Sequence, residues 1–338
     1  MNDNSPASWN AEAILSLGRN YQGAAVLVAA AELDLFTPLA ASPRSAAELA
    51  AVVGADLRGL TVLMDALVAL RVLSKSGDRY APAPGINELA TPTGSQTVLA
   101  MLQHQANCLR RWAQVAQVVK TGRPAQHIPS VRGESGDQES FIGAMHNVSA
   151  PMADGVIQAI QPLKFEHLLD IGGASGTWTM AFLRACLTGR ATLFDLPPVI
   201  TLARKRLSES GFAERVTLVP GDFLTDPLPG GTDLAWVSAI VHQNSREQNR
   251  ALFAKVFGAL VPGGRIAIRD VVMDVTRTRP AAGALFAVNM LVATESGGTF
   301  TFDELREDLE SAGFAHADLT RDDEGMNSIV VASKPASR

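Results

Sequence analysis

The sequence predicts an α/β protein in which a mainly helical N-terminal domain precedes a domain built on a mostly parallel sheet. Residues 11–120 read as one helix after another, whereas after residue 160 short β-rich runs alternate with helical segments. A chain of 338 residues is long for a single domain and fits two. We therefore predict a helical domain over residues 1–120, a linker over 121–140 and an α/β domain over 141–338.

The composition narrows the class of function. Apolar residues make up 47% of the chain and charged residues 19%, which is typical of a globular protein with a large core. The net charge of −5 disfavours a general nucleic-acid binder, because such binding depends on cationic contacts to phosphate. Cys108 and Cys186 give no disulfide framework and lack metal-ligand spacing, so we expect reduced thiols and no metal. The N-terminal MNDNSPASWN lacks the pattern of a secretory signal, so we expect a cytoplasmic protein with no membrane partner.

The helical domain carries the pattern of a winged helix. Ser45 and Glu48 form a capping box before one helix, a second helix follows Gly54, and a two-stranded wing turns at Gly77. Winged helices often bind DNA, but a helix that reads a DNA groove needs a polar and basic outer face. The second helix, LRGLTVLMDALVALRVL, is apolar nearly all round, so we expect it to lie against a second subunit in a homodimer. A ligand-sensing regulator is the alternative.

The end of the helical domain is predicted from one helix and one polar stretch. TVLAMLQHQANCLRRWAQVAQVVKTG reads as a single long helix that closes at Gly122. The following RPAQHIPSVRGESGDQES is rich in Pro, Gly, Ser and charge, which is typical of a linker.

A glycine-rich turn follows the first predicted strand of the α/β domain. The strand ends at Asp170, and the turn contains Gly172, Gly173 and Gly176, which let the backbone approach a ligand closely. The dinucleotide pattern G-x-G-x-x-G fails in both possible registers, so a bound pyrophosphate is disfavoured. Asp170 would repel a phosphate but could accept a hydrogen bond from a cationic amino-acid group.

Acidic residues also end the next two predicted strands. Asp195 follows Asp170 by 25 residues, where an acid commonly accepts hydrogen bonds from ribose hydroxyls. The alternative is that Asp195 caps the helix that begins at Pro197. The third strand ends at Asp222 and Phe223, a carboxylate and a ring that suit the amino group and the face of an adenine.

His242 lies where the fourth strand stops and the next helix begins, and two interpretations stand beside each other. Ser245 and Gln248 form a capping box just downstream, so the histidine could simply sit at a helix entrance. At a strand end beside a ligand-binding turn, an imidazole can instead take a proton from a substrate as a general base.

Several motifs, in this order and spacing, resemble one family over almost the whole chain: LLDIGGASG, FDLP, GDFL, HQNSREQNRALFAKVFGALVPGGRIAIRD and ESAGF. They are similar to the S-adenosylmethionine-dependent O-methyltransferases of the caffeate and acetylserotonin type, in a bacterial version. The resemblance implies a winged-helix dimerisation domain followed by a Rossmann-like methyltransferase domain with a seven-stranded sheet. It also implies S-adenosylmethionine as methyl donor, S-adenosylhomocysteine as product, and a small hydroxylated acceptor, aromatic or polyketide-like.

The resemblance further implies roles for individual residues. The residues implied to bind the cofactor are Asp170, Gly172, Gly173, Gly176, Asp195, Leu196, Asp222, Phe223 and Ser238, the last standing where many relatives have a lysine. His242 corresponds to the general base and Asp270 to the acid that orients it, where relatives usually have glutamate. The residues implied to line the substrate pocket are Phe141, Met145, His146, Phe286, Asn289 and Met290, although apolar stripes at helical spacing are usually plain core.

Two departures from the family pattern keep a second hypothesis open. Gln243 stands where relatives usually have aspartate, and the segment after Gly297 and Gly298 lacks the second glutamate of a G-G-x-E arrangement, although Glu295 lies just upstream. The alternative is therefore a protein of this fold that binds the cofactor but has lost or changed the methyl-transfer chemistry.

Overall fold

The computed structural model describes residues 9–161 and 164–336 and divides the chain into two compact units. The first unit contains the residues up to Arg110 together with Ile128–Asn147, and the second contains Arg111–His127 together with the residues from Val148 onward. Most of MNDNSPASWN, on which the prediction of no secretory signal rests, lies outside the described residues. No helix in the described part of the chain is both long and apolar enough to cross a membrane.

The elements up to Ser149 form the first unit, except for α8 and the ends of α7 and α9. They are α1 (Ala11–Arg19), α2 (Tyr21–Glu32), α3 (Phe36–Ala41), β1 (Arg44–Ser45), α4 (Ala46–Val53), α5 (Leu57–Ala69), β2 (Leu73–Ser76), β3 (Arg79–Pro82), α6 (Ile86–Ala90), α7 (Leu99–Trp112), α8 (Val115–Thr121) and α9 (Gly133–Ser149). The strands form one antiparallel sheet in the order β1–β3–β2. The predicted winged helix is present, with α4 and α5 as its helix pair and the β2–β3 hairpin as its wing.

The second helix of the winged helix, α5, is apolar mainly because it packs within its own unit. Leu60, Met64 and Leu67 lie at helical spacing on one face and are buried in the core of the first unit. Val62 lies on another face and is 64% exposed. These three buried residues account for much of the apolar character of α5 without a second subunit, whereas the exposed Val62 is available for the predicted subunit contact.

The prediction of a single long helix was wrong, since the structure has two helices, α7 and α8, in its place. The stretch predicted to be a linker is divided between the two units. The helix is broken between Trp112 and Val115, and at this break the side chain of Gln114 bonds to the backbone of Gln126 as both donor and acceptor. The polar stretch after residue 122 does not form one separate linker, since its start belongs to the second unit and its remainder to the first. Much of it is the helix α9, which composition alone suggested would be a loop.

The elements after residue 150 belong to the second unit. They are α10 (Ala153–Ala159), β4 (His167–Ile171), α11 (Thr177–Ala185), β5 (Arg190–Asp195), α12 (Pro197–Ser210), β6 (Val216–Pro220), β7 (Thr232–Ser238), α13 (Arg246–Ala259), β8 (Leu260–Asp270), β9 (Val272–Met273), α14 (Ala281–Ala293), β10 (Phe300–Thr301), α15 (Phe302–Ser311), β11 (Ala315–Arg321) and β12 (Ser328–Ser333), with single turns of 3-10 helix at Ala213–Arg215 and Val241–Gln243.

The second unit is built on a seven-stranded sheet in the order β11–β12–β8–β7–β4–β5–β6. Neighbouring strands from β8 to β6 are parallel, and β12 and β11 are antiparallel. Apolar side chains cover both faces and form two separate core clusters, as expected for a sheet with helices on both sides. The carboxyl ends of the five parallel strands meet at one edge, which brings the residues after β4, β5, β6, β7 and β8 into one region.

Candidate active site at the carboxyl ends of the strands

The glycine turn after β4 lies closely on the end of the sheet. Gly172 and Gly176 have φ values of +66° and +78°, and Ala174 between them has φ +48°, an unfavourable conformation for a residue with a side chain. A methyl carbon built on Gly173 would lie 2.6 Å from Cγ of Leu193 on β5. Glycine at 173 is therefore required by lack of room, and the turn leaves its backbone near the strand ends where a ligand can approach.

Asp170 lies beneath this turn and not in an open cleft. Its side chain is only 1% exposed, and its carboxylate accepts a hydrogen bond from the hydroxyl of Thr179 on α11. Burial, together with the nearby charge of Asp195, raises the pKa of Asp170 to about 7, although the bond from Thr179 opposes this shift. In this structure Asp170 supports the turn from below, whereas we had expected its carboxylate to be available to a ligand.

We expect Asp170→Asn to change how stability depends on pH. An aspartate in an unfolded chain has a pKa of about 3.9, so the folded protein with its raised pKa keeps a proton that the unfolded chain has already lost. The contribution of Asp170 to the wild type's free energy of unfolding should therefore fall as the pH rises from about 4 to about 7, by on the order of 4 kcal/mol, and then level off. The amide of the variant keeps an acceptor for Thr179 without titrating. Urea unfolding across this pH range should show that the free energy of unfolding of the variant increases relative to that of the wild type as the pH rises. A difference between the two free energies that does not change with pH would contradict the raised pKa.

Asp195 connects the end of β5 to the glycine turn. Its Oδ2 accepts a hydrogen bond from the backbone N–H of Ala174 at 2.8 Å, and its Oδ1 accepts one from the N–H of Leu196 at 2.7 Å. Burial raises the pKa of this carboxyl, while the two backbone bonds lower it. The helix that follows is capped at Leu196 without any side-chain hydrogen bond, so Asp195 does not act as its N-cap. Each oxygen keeps acceptor capacity, and the neighbouring Leu196 is 48% exposed.

Phe223 brings an aromatic ring to the same turn from the end of β6. Its Cε1 lies 4.0 Å from the point where a side chain on Gly172 would begin. Asp222 accepts the N–H of Leu224 and donates its own N–H to Asp226, each at 2.8 Å, which closes a tight turn. Lys255 on α13 reinforces this turn, because its ammonium donates to the carbonyls of Phe223, Leu224 and Asp226. Lys255 lies inside a helix whose sequence carries no signal for this role.

His242 and Asp270 form a buried pair at the ends of β7 and β8. Nδ1 of His242 lies 2.9 Å from both carboxylate oxygens of Asp270, and Oδ1 also accepts the N–H of Val271 at 2.8 Å. The histidine is 7% exposed and the aspartate 1%. This geometry assigns the proton on the ring to Nδ1 and leaves Nε2 as the free base nitrogen, since no described residue hydrogen-bonds to it. Although aspartate is one methylene shorter than glutamate, Asp270 contacts the imidazole directly.

The backbone around His242 is held by a second group of contacts. Asn249 donates to the carbonyl of Val241 at 3.0 Å and accepts from Asn244, and both asparagines are buried. Ser245 and Gln248 form the predicted capping box, so His242 lies at a helix entrance and is also hydrogen-bonded to Asp270. Gln243, which replaces the usual aspartate, points to the surface and donates to the carbonyl of Ala239.

Ser238 does not stand alone at the end of β7. Its hydroxyl accepts a hydrogen bond from Arg269 at 3.1 Å, and Arg269 also donates to Asn327 and lies over the ring of Trp178 at 4.5 Å. Arg269 is 3% exposed, and burial lowers its pKa to about 10. A buried cation thus lies beside Ser238 at the end of β7. The only signal in the sequence was a single arginine inside the strand motif IAIRD.

The residues predicted to line the substrate pocket are distributed over both units. Phe286 on α14 contacts the ring of His242 edge to face, with centroids 4.8 Å apart. Asn289 accepts a hydrogen bond from the indole of Trp112 at 2.9 Å, and Met290 is buried. The remaining three, Phe141, Met145 and His146, lie on α9 within the first unit, where the exposed Phe141 contacts the ring of His104.

Comparison with known proteins decides the family. The model of the O-methyltransferase domain matches residues 112–315, and that of the O-methyltransferase dimerisation domain matches residues 19–89. The chain belongs to the O-methyltransferase family. The methyltransferase is 32% identical to the tetracenomycin polyketide synthesis 8-O-methyltransferase TcmO of Streptomyces glaucescens over 95% of this chain and 96% of that protein. It is 27% identical to the N,N-dimethyltransferase OxyT of Streptomyces rimosus over 96% and 97% of the two chains.

A solved structure supports the same assignment. Human N-acetylserotonin methyltransferase in complex with S-adenosylmethionine superposes with a TM-score of 0.80 at 26% identity, covering 98% of this methyltransferase and all of the human chain. Family membership makes this protein an S-adenosylmethionine-dependent methyltransferase.

The residues at the strand ends fit this cofactor chemically. Asp195 offers acceptors to a ribose diol, the ring of Phe223 offers an apolar face beside the turn, and no side chain on Gly172 or Gly173 blocks the backbone. Within residues 9–161 and 164–336, no group of three His, Cys, Asp or Glu side chains converges as metal ligands.

Proposed function

We propose that the chain transfers a methyl group to a hydroxyl of a small aromatic or polyketide-like molecule, with His242 as the general base. The buried pair of His242 and Asp270, beside a glycine turn and a strand-end carboxylate, is the observation that carries this proposal. The similarity to TcmO, whose name describes an O-methyltransferase of polyketide synthesis, supports the acceptor class.

The cofactor residues follow from the same edge of the sheet. We propose that Asp195, next to Leu196, accepts hydrogen bonds from the ribose, and that Asp222 and Phe223 hold the adenine. In this proposal the turn from Gly172 to Gly176 lies along the amino-acid portion, with Asp170 beneath it as a support. Ser238, with the cation of Arg269 attached, is proposed to face the same ligand.

His242 would act on the acceptor and not on the donor. Bound S-adenosylmethionine supplies an electrophilic methyl group on a sulfonium. A neutral phenol, with a pKa of about 10, is a poor nucleophile at neutral pH, so the hydroxyl must lose its proton as it reacts. Asp270 holds the Nδ1 proton and thereby leaves Nε2 to accept the proton of the hydroxyl, and it stabilises the imidazolium that results. Phe286 restricts the rotation of the ring.

Methyl transfer to a panel of hydroxylated aromatic acceptors tests this function. Binding of S-adenosylhomocysteine is first measured by calorimetry, and transfer of a labelled methyl group is then followed by mass spectrometry. We expect saturable binding and an O-methylated product from at least one phenolic acceptor. Binding without any O-methylation over the panel would contradict the proposed reaction.

A second candidate function is methyl transfer to nitrogen. The similarity to OxyT, named an N,N-dimethyltransferase, covers nearly the whole chain. The departures at Gln243 and after Gly298 also leave base catalysis with a single histidine–aspartate pair. An amine that is already neutral needs less help from a base, so aromatic amines belong in the same panel. Products methylated only on nitrogen would favour this candidate.

We propose that the enzyme is a homodimer through its first unit. The dimerisation-domain match spans residues 19–89. The short helix α1, just before this match, has no buried residue, and its apolar side chains Ile14, Leu15 and Leu17 are all more than half exposed. Sedimentation analysis at micromolar concentration should give twice the mass of 35.7 kDa. Replacing Leu15 and Leu17 with Glu should shift the protein to the monomer, and a monomeric wild type would contradict the proposal.

A further inference from the structure

The segment that follows α14 runs directly against the backbone of His242. Gly298 donates its N–H to the carbonyl of His242 at 2.9 Å. Gly297 donates its own N–H to the hydroxyl of Thr294 at 2.9 Å, and that hydroxyl donates to the carbonyl of Met290 in the last turn of α14. A continuous series of hydrogen bonds therefore joins the end of α14 to the main chain of the histidine.

Gly297 has no room for a side chain, whereas Gly298 has room to spare. A methyl carbon on Gly297 would lie 2.5 Å from the carbonyl oxygen of His242 and 3.0 Å from that of Gln243. The 2.5 Å distance is too short for a carbon against a backbone oxygen, and the 3.0 Å distance is tight. The hydroxyl oxygen of Thr294 would also lie 2.5 Å from this carbon. A methyl carbon on Gly298 would meet nothing within 4 Å. Neither residue has a positive φ, so the requirement at Gly297 arises from close approach and not from backbone conformation.

The same helix also contacts the ring of His242. Phe286, near the middle of α14, packs edge to face on the imidazole. Downstream of Gly297, β10 pairs in parallel with β9, which begins two residues after Asp270. The segment from Phe286 to Thr301 therefore contacts the ring of His242, its backbone and the strand that follows its acidic partner.

We propose that Gly297 is a positioning residue for His242. The proposal rests on the proposed role of His242 as general base. Gly297 lets the chain pass within van der Waals distance of the His242 carbonyl, and this contact fixes the position of the imidazole relative to the ends of β7 and β8. The hydrogen bond from Nδ1 to Asp270 and the position of Nε2 both depend on where the imidazole is held.

Gly297→Ala, compared with Gly298→Ala, tests the proposal. The added methyl at 297 overlaps the carbonyl oxygen of His242 as well as the hydroxyl of Thr294. A displacement of about 1 Å in a reacting group can reduce turnover about a hundredfold. We expect kcat of Gly297→Ala to fall at least about tenfold, with unchanged affinity for S-adenosylhomocysteine. Gly298→Ala keeps its N–H and meets open space, so its loss should be much smaller. Equal kcat values for the two variants would overturn the proposal.

A spectroscopic readout separates displacement of His242 from a general loss of stability and does not require activity. In protein labelled with ¹⁵N-histidine, the Nδ1 and Nε2 shifts of His242 report its tautomer and its bond to Asp270. We expect these shifts to change in Gly297→Ala and to remain near the wild type in Gly298→Ala. Unchanged shifts in a folded Gly297→Ala would overturn the proposal, even if His242 proved not to be the base.

Thr294→Val provides a gentler variant in case Gly297→Ala does not fold. It removes the acceptor of the Gly297 N–H without adding bulk. We expect a smaller change of the His242 shifts in the same direction, and wild-type shifts in this variant would overturn the proposal. Failure of the proposed function has a different signature, because His242→Ala would then retain turnover while the shifts still responded to Gly297.

Discussion

His242→Ala should lower kcat by about a hundredfold or more while leaving the affinity for S-adenosylhomocysteine near that of the wild type. The variant loses Nε2, the one ring nitrogen that Asp270 leaves free, but it leaves the glycine turn, Asp195 and Phe223 untouched. Initial rates at saturating donor, combined with calorimetry, separate the chemical step from cofactor binding.

Two controls sharpen this result. Asp270→Asn keeps a side chain of the same shape but removes the charge that stabilises the imidazolium, so we expect a smaller loss of kcat than in His242→Ala. A more acidic phenol needs less base, so the loss in His242→Ala should shrink as the acceptor pKa falls. Equal turnover in wild type and His242→Ala would make His242 a structural residue at the entrance of α13.

Asp195→Ala should weaken the binding of S-adenosylhomocysteine by about 1–3 kcal/mol, or roughly fivefold to 150-fold in Kd. The carboxylate contributes acceptors for the ribose in our proposal, and its loss also frees the N–H of Ala174 in the strained part of the glycine turn. Calorimetry gives the affinity directly.

The two contributions of Asp195 can be separated. Asp195→Asn keeps an oxygen for the Ala174 N–H but loses the charge, so its affinity should lie between the wild type and the alanine variant. An S-adenosylhomocysteine analogue that lacks the ribose 2′-hydroxyl should bind the wild type more weakly than S-adenosylhomocysteine does. In Asp195→Ala the two ligands should differ little in affinity. An unaltered Kd in Asp195→Ala would mean that other residues hold the ribose.

The sequence was most informative where local pattern and sheet topology agree. Alternating strands and helices predicted the parallel sheet, and parallel strands necessarily bring Asp195, Phe223 and His242 to one edge. The two capping boxes predicted from the sequence, at Ser45 and Ser245, are both present, because each depends only on residues three apart.

Tertiary contacts account for what the sequence did not reveal. Asp170 lies one residue before the end of β4, and its carboxylate is buried under the turn, where it accepts a hydrogen bond from Thr179 on α11. Spacing along the sequence does not encode that partner. Composition suggested a linker at residues 121–140, whereas the reciprocal bonds of Gln114 and Gln126 and the helix α9 divide it between the units. Gly297 packs against the backbone of His242, which is 55 residues away in the sequence.

A crystal structure of the enzyme with S-adenosylhomocysteine tests the central claim most directly. We predict the adenine beside Phe223, the ribose hydroxyls on Asp195 and the sulfur turned toward Nε2 of His242, with room for an acceptor between them. A product molecule bound away from the turn at Gly172–Gly176, or an imidazole separated from the sulfur by protein side chains, would contradict the account.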